Sequence, residues 1–314
     1  MATYVVGDIH GCYDAWMKLK NKIEKQDSQA KFIFVGDIVD RGPQVMEMIN
    51  WAMRNITPDG KYQMIIGNHE AEKINWWKEY RDNGNSTIDF RNFYPDRYDF
   101  QFVMSYYKKT DKEVDEIIEF FKSLPLYKEL FIDTGKKKGK QHYIIVHASA
   151  PMQCLNKDET FKKSSIHYNK KYNPINLMQV HRNQENIIWY RTYCGNNHLK
   201  HTIVVHGHTP TVLDDFEGDK VVKGRAYFRY ADINVDCGIT YKRLYGRNLC
   251  AVRLEDLEEF YVYETGNLMN DEQAAYRNDM KHFIKSGKYI NSVQLKYEEE
   301  EPRISFKDYV KLFK

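Results

Sequence analysis

Phe32-Ile33-Phe34-Val35-Gly36-Asp37-Ile38-Val39-Asp40-Arg41-Gly42 runs from an apolar, aromatic and β-branched stretch straight into a loop of acids, arginine and glycine. The apolar run reads as a buried strand and the polar residues as the loop at its carboxyl end. The same sentence is written four more times. Thr3-Tyr4-Val5-Val6 precedes Gly7-Asp8-Ile9-His10-Gly11, and Tyr62-Gln63-Met64-Ile65-Ile66 precedes Gly67-Asn68-His69-Glu70. His142 to Val146 precedes His147-Ala148-Ser149, and Thr202 to Val205 leads into Gly207-His208-Thr209. Between the first three runs lie two helical patterns, Asp14 to Lys25 with Trp16, Leu19 and Ile23 on one face, and Pro43 to Arg54. Strand, helix, strand, helix, strand predicts a parallel α/β sheet. In such sheets ligands bind beyond the carboxyl ends of the strands, so the five polar motifs are expected on one edge.

The remainder of the chain is less regular. Residues 71–140 interleave Trp76, Trp77, Tyr80, Phe90, Phe93, Tyr94, Tyr98, Phe100, Phe102, Tyr106 and Tyr107 with charges, which reads as a mostly helical, aromatic-rich insertion forming a small packed subdomain. Tyr127 to Ile132 is expected as a strand, with a hairpin turn at Lys136 to Lys140 before the next. Tyr227 to Asp236, Ala251 to Leu254 and Phe260 to Tyr263 read as a second, mixed set of strands. Asp271 to Lys285 is a helical pattern, and Ile304 to Val310 a terminal apolar stripe. The expected organisation is one domain over residues 1–265 with a helical tail over 266–314.

Across 314 residues, 47 basic side chains stand against 44 acidic ones, a balance without the electrostatic footprint of a nucleic-acid binder. No apolar run approaches the roughly 18 residues of a membrane span, and the first motif starts too early for a signal peptide to precede it. The five cysteines are an odd number without a C-x-x-C pair, as suits a reducing compartment. The expectation is a cytoplasmic protein with no nucleic-acid or membrane partner; its oligomeric state is not legible.

Carboxylate, imidazole and amide ligands without thiolate suit manganese, iron or zinc in a reactive pair more than a structural zinc knot. Asp8 and His10 reach one ion from the first loop, and Asp37 is the natural bridging carboxylate. Asn68, His147 and His208 complete a second position, with the two ions about 3.5–4 Å apart. Such a pair activates a water for in-line attack on phosphorus. His69, next to Asn68, is placed to protonate a leaving alkoxide, Asp40 to hold His69 in the right tautomer, and Arg41 to offer a planar fork to phosphate oxygens.

With these residues in place, the chain resembles metal-dependent phosphoprotein phosphatases of the PPP family, in their bacterial and phage branch. GD-x-HG, GD-x-VDRG and GNHE match without a changed key residue, and the motifs span roughly residues 4–240. The resemblance implies an α/β (α+β) metallophosphatase fold, a central β-sandwich of mixed sheets flanked by helices, in place of the single parallel sheet. It also implies direct hydrolysis by a metal-bridging hydroxide, with manganese as the working metal. Finally, it makes the arginine of Ile187-Ile188-Trp189-Tyr190-Arg191 a second phosphate clamp. Three positions depart from or qualify the pattern: Ser149 stands where glycine or an acid is usual, His206 adds a histidine before Gly207, and Cys12 follows Gly11 as a small helix-start residue. The expected activity is hydrolysis of phosphoserine and phosphothreonine in proteins, with phosphotyrosine as a further candidate and small phosphoesters as other substrates. A dinucleoside polyphosphate hydrolase, such as one acting on diadenosine tetraphosphate, is the alternative on the same fold. A catalytically silent binding module is opposed by the full ligand set, and a nuclease by the absence of a basic stripe.

Overall fold

A computed structural model of the chain describes residues 1–83, 99–136, 139–150, 155–161, 187–189, 199–212, 223–229, 231–241, 247–263 and 271–288. Among the described residues, ten strands form two five-stranded sheets. The first has the order β10-β9-β1-β2-β3, built from β1 (Thr3–Val6), β2 (Lys31–Phe34), β3 (Tyr62–Met64), β9 (Cys250–Arg253) and β10 (Glu259–Tyr261). The second has the order β4-β5-β6-β8-β7, built from β4 (Tyr127–Ile132), β5 (Gln141–Val146), β6 (Thr202–His206), β7 (Tyr227–Arg229) and β8 (Asp232–Asn234). Each sheet carries a parallel trio, β1, β2, β3 in one and β5, β6, β8 in the other, bordered by antiparallel strands.

The single parallel sheet suggested by the strand-helix alternation is therefore two mixed sheets, as the family resemblance implied. The reason lies in the alternation of side chains. Along β2 and just past it, Phe32 and Phe34 join a cluster under the helices, whereas Ile33 and Val35 meet Tyr143, Ile145, Ile203 and Val205 between the sheets. On the far face of the second sheet, Ile144, Val146 and Val204 pack with Leu155, Phe161 and Leu199. Central strands are covered on both faces, so most of their positions are apolar, and such a run looks the same whichever sheet it belongs to. The late strands also differ from the separate set expected: β7 and β8 extend the second sheet, and β9 and β10 complete the first.

Helices α1 (Tyr13–Glu24) and α2 (Val45–Asn55) cover the outer face of the first sheet. Trp16 of α1 is fully buried, its ring 5.3 Å from Phe32, 4.8 Å from Phe34 and 5.2 Å from Trp51 of α2. α2 begins at Val45, leaving Pro43 in the preceding turn and not in the helix. α3 (Asn68–Asn83), α4 (Phe100–Tyr106) and α5 (Asp111–Ser123) follow. The expected 71–140 segment is helical through these three, and Ile74, Trp77, Phe100, Ile117 and Phe121 share one hydrophobic cluster with α1 and α2. Phe90, Phe93, Tyr94 and Tyr98 lie outside the described residues. β4 and β5 pair antiparallel, with Ile132 opposite Gln141; Lys137 and Lys138 of the expected turn lie outside the described residues. α6 (Asp271–Ser286) places Tyr276, Met280, Phe283 and Ile284 in the cluster between the sheets; the 304–310 stripe lies outside the described residues. Among the described residues no helix is long and apolar enough to cross a membrane.

Candidate active site

Both parallel trios point their carboxyl ends at the same place. β1 delivers Asp8 and His10, β2 delivers Asp37, Asp40 and Arg41, and the turn after β3 opens directly into α3 with Asn68 and His69 as its first residues. β5 is followed at once by His147, and β6 by Gly207 and His208. Five of these residues adopt left-handed backbone: His10 (φ 45°), Asp37 (50°), Asp40 (65°), Arg41 (65°) and His208 (69°). Positive φ is costly for side chains of this kind, and its concentration in these loops marks a built site. The glycines of the motifs make room for carboxylates. A Cβ on Gly67 would stand 2.2 Å from Asp37 Oδ1, and one on Gly207 would stand 2.1 Å from Asp8 Oδ1.

Asp37 sits at the centre. Its Oδ2 lies 3.4 Å from His147 Nε2, 3.6 Å from His10 Nε2 and 3.9 Å from His69 Nε2, and all four side chains are buried. Burial pushes its carboxyl up, but His147, His69 and His10 outweigh that and hold it well below the usual carboxylate range. Its Oδ1 accepts from His69 N at 3.0 Å. His10, Asp37 and His69 bring ligand atoms within 4.8 Å of one another, and so do Asp37, His147 and His208. Asp37 thus belongs to both groups, as a bridging carboxylate must.

The ring orientations fit metal ions. His10 Nδ1 is 2.8 Å from Val39 O and His147 Nδ1 is 2.7 Å from Val35 O; a carbonyl only accepts, so Nδ1 carries a proton and Nε2, on the Asp37 side, is the nitrogen left to serve as a ligand. His208 is turned the other way, Nε2–H donating to Trp189 O at 3.2 Å, which leaves Nδ1 as its ligand atom. Asn68 Oδ1 lies 2.8 Å from His147 Nε2 and 2.9 Å from His208 Nδ1. Two ring nitrogens and an amide oxygen converging beside a carboxylate are donor types that suit a cation. Burial, followed by Arg41 and His69, pushes the His10 imidazole well below its ordinary range, which keeps it in the form that binds metal.

Asp8 stands one step back from these groups. Its Oδ2 accepts from His208 N at 3.1 Å and its Oδ1 has no hydrogen-bond partner. Burial and the Asp236 and Asp37 charges push its carboxyl well above the usual range. A buried acid that only a nearby cation would settle is what a ligand looks like before its metal is considered. Asp236, just past β8, was missed in the motif reading. It is buried, its Oδ1 accepts from Gly238 N at 3.0 Å, and its Oδ2 has no partner. The signal was an apolar strand ending in Asn234-Val235-Asp236-Cys237-Gly238, a sixth polar strand end, here an acid two residues before a glycine.

Beside these groups lie His69, Asp40 and Arg41, the expected proton donor, its partner and the phosphate fork. His69 Nδ1 donates to Asp40 Oδ2 at 2.6 Å, so its Nε2 faces the site. The Arg41 guanidinium bridges two imidazoles, one terminal nitrogen 2.8 Å from His10 Nε2 and the other 3.0 Å from His69 Nε2. Glu70, part of the third motif but without an assigned role, ties two loops together: it accepts from Asp37 N at 2.9 Å, Ile38 N at 2.9 Å and Gly67 N at 3.0 Å. Burial and the Asp37 charge push it up to about 7. His206 is a packing neighbour, its Nε2 3.3 Å from Asp232 Oδ1. Arg191 lies outside the described residues, but the segment leading to it docks on the site: Ile187 O accepts from Ala148 N at 2.9 Å and Ser149 N at 3.3 Å.

The sequence profile of calcineurin-like phosphoesterases matches residues 1–240, more than half of the chain and every motif above. The chain belongs to the calcineurin-like phosphoesterase family. Members of this family depend on a dinuclear metal centre, and the two ligand groups sharing Asp37 are where this phosphoesterase would hold it. Among curated relatives, a symmetrical bis(5'-nucleosyl)-tetraphosphatase of Methylobacillus flagellatus is 35% identical over 74 residues, 24% of this chain and 26% of the relative. The matched stretch therefore spans about a quarter of that relative's length. A solved cold-active protein-tyrosine phosphatase of a psychrophilic Shewanella aligns over 83% of this chain and 80% of its own at 19% identity and a TM-score of 0.49. A protein serine/threonine phosphatase of Saccharomyces cerevisiae aligns over 87% and 82% at 16% identity and a TM-score of 0.48.

Proposed function

We propose that this phosphoesterase is a phosphomonoesterase acting on phosphoserine and phosphothreonine in proteins, with manganese as the working metal pair. The observation that carries the reading is the His69–Asp40 dyad beside the ligand groups. When bound, the metals supply Lewis acidity, activating water and neutralising phosphate charge. The residues do the rest. Asp40 holds the Nδ1–H of His69, so Nε2 is the nitrogen that hands a proton to the leaving oxygen. A serine or threonine alkoxide is too basic to depart unprotonated, whereas the phosphate leaving group of an anhydride is a weak base and needs little such help. A dedicated, buried acid dyad is therefore better matched to alkyl phosphomonoesters. Arg41 keeps its two terminal nitrogens at the mouth of the same groups, in position to turn its fork onto non-bridging oxygens.

One observation favours a second reading. The similarity to a symmetrical bis(5'-nucleosyl)-tetraphosphatase, 35% over 74 residues, supports hydrolysis of dinucleoside polyphosphates on the same centre. Specificity resides in loops, so the shared centre serves either substrate. The deciding measurement is kcat/KM of the manganese-loaded protein on a phosphoserine peptide against diadenosine tetraphosphate. At least a tenfold preference for the peptide is expected; the reverse preference overturns the reading in favour of the second. Chelation should abolish both activities and manganese restore them.

A further inference from the structure

Asp40 is buried and faces more than His69. Its Oδ2 accepts from His69 Nδ1 at 2.6 Å and also from the ammonium of Lys73 at 2.7 Å, while its Oδ1 accepts from Phe100 N at 2.7 Å. Lys73 is itself 2% exposed. His69 and Lys73 are four residues apart near the start of α3, hence one turn apart on the same face, and both grip one carboxylate oxygen. The backbone N–H of Phe100, the first residue of α4, holds the other oxygen.

A buried lysine needs a reason. Burial opposes its charge, but Asp40 and Glu72 outweigh that and hold Lys73 above its ordinary range. Asp40, His69 and Glu72 bring ligand atoms within 4.8 Å of one another, a grouping that on donor types alone resembles a third cation site. The Lys73 ammonium lies in it, 2.7 Å from Asp40 and 3.6 Å from Glu72, with the Asp99 carboxylate adding to the negative surroundings. The cation this grouping calls for is the protein's own. Removing one partner from such a buried pair leaves the other charge uncompensated and free to reorient.

We propose that Lys73 is a positioning residue of the reaction: with Phe100 N it locks Asp40 as an ionised, oriented acceptor, and so fixes His69 with Nδ1–H toward Asp40 and Nε2 toward the leaving group. Without the ammonium, Asp40 keeps one donor on Oδ1 and one on Oδ2, and its carboxylate is free to pivot about the Phe100 bond. His69 then loses its orientation at the moment of proton transfer, while metal ligands and phosphate contacts stay as they were. The inference rests on reading His69 as the general acid, and the experiment separates the two.

The test compares Lys73→Met, Lys73→Gln and Lys73→Arg in the full chain, each loaded with manganese, on a phosphoserine peptide and on p-nitrophenyl phosphate. A nitrophenolate leaves without a proton, so it reports everything except the acid. Lys73→Met should lower kcat on the peptide about tenfold with KM within about twofold, and lower kcat on the aryl ester less than about threefold. Lys73→Arg, which keeps the charge, should recover most of the peptide rate; Lys73→Gln provides the uncharged variant if the Met protein does not fold. Added to His69→Asn, the lysine substitution should cost nothing further, because both act through one proton. Equal losses on the two substrates, unchanged peptide kinetics in the folded variant, or a full additional loss in the His69→Asn background would each overturn the role of Lys73. If His69→Asn itself fails to discriminate alkyl from aryl esters, the acid reading falls first.

Discussion

The two halves of the sandwich contribute unequally to the site they share. Among the described residues, loops of the first sheet bring Asp8, His10, Asp37, Asp40, Arg41, Asn68 and His69, candidate ligands together with the candidate acid dyad and the Arg41 fork. Loops of the second bring His147, His208 and Asp236, ligands or neighbours of ligands without an acid dyad. The second set is also oriented by the first. His147 donates to Val35 O, and His208 N donates to Asp8 Oδ2. Chemistry is thus concentrated in the first sheet, and the second completes a cradle whose alignment depends on the first sheet's backbone.

Asp37 is the residue on which that division can be broken most completely, since it alone belongs to both ligand groups. Asp37→Asn should reduce the bound metal from two ions toward one or none and lower activity by roughly a thousandfold or more, because the principal buried countercharge of the centre is gone. Metal content by elemental analysis, read beside kcat/KM, checks this. Two tightly held ions in the variant would remove Asp37 from the bridge. His69→Asn touches only the first sheet's candidate acid dyad, and should retain both ions while lowering turnover about a hundredfold on an alkyl phosphate and much less on an aryl one. Loss of metal from that variant would instead make His69 a ligand, a role its proximity to His10 and Asp37 also permits.

The same asymmetry governs what could be read from the sequence. In the first half, motif and strand are contiguous, and Gly-Asp-x-x-Asp-Arg-Gly and Gly-Asn-His-Glu each set candidate ligand, acid or fork residues within a few residues of a strand end; the structure places these side chains next to one another. In the second half each strand end offers a single residue, and Asp236 passed unnoticed because one acid before Cys-Gly is indistinguishable from a turn. Lys73 was invisible for another reason. A lysine four residues after a histidine on a charged helix reads as a solvated face, and only the fold shows that Asp40, from a distant loop, lies between them. The division into two sheets was equally hidden, since Ile33 and Ile145 look alike in sequence although they meet from opposite sheets.

The smallest effect lies far from the metals, and it tests whether the first sheet's scaffold can be weakened without disturbing its chemistry. At the end of α1, Glu24 receives Lys20 at 2.7 Å, Lys61 at 2.7 Å and the Tyr62 hydroxyl at 2.7 Å. Partial burial pushes its carboxyl up, but these three donors prevail and lower it from 4.5 to about 2. The folded protein therefore binds this proton less readily than the unfolded chain. The resulting stability is fully present above about pH 4.5 and is lost as pH falls toward 2. Lys61 is 38% exposed and water screens the cluster, so Glu24→Gln should cost at most about 1 kcal/mol at pH 7. Denaturant unfolding at a series of pH values should show that difference shrinking below pH 4.5 and vanishing near 2, with kcat/KM at neutral pH unchanged. A deficit that persists undiminished in acid would trace to lost packing around Tyr62 instead of charge. A fall in kcat/KM would mean that the outer edge of the first sheet is coupled to the loops at its catalytic end.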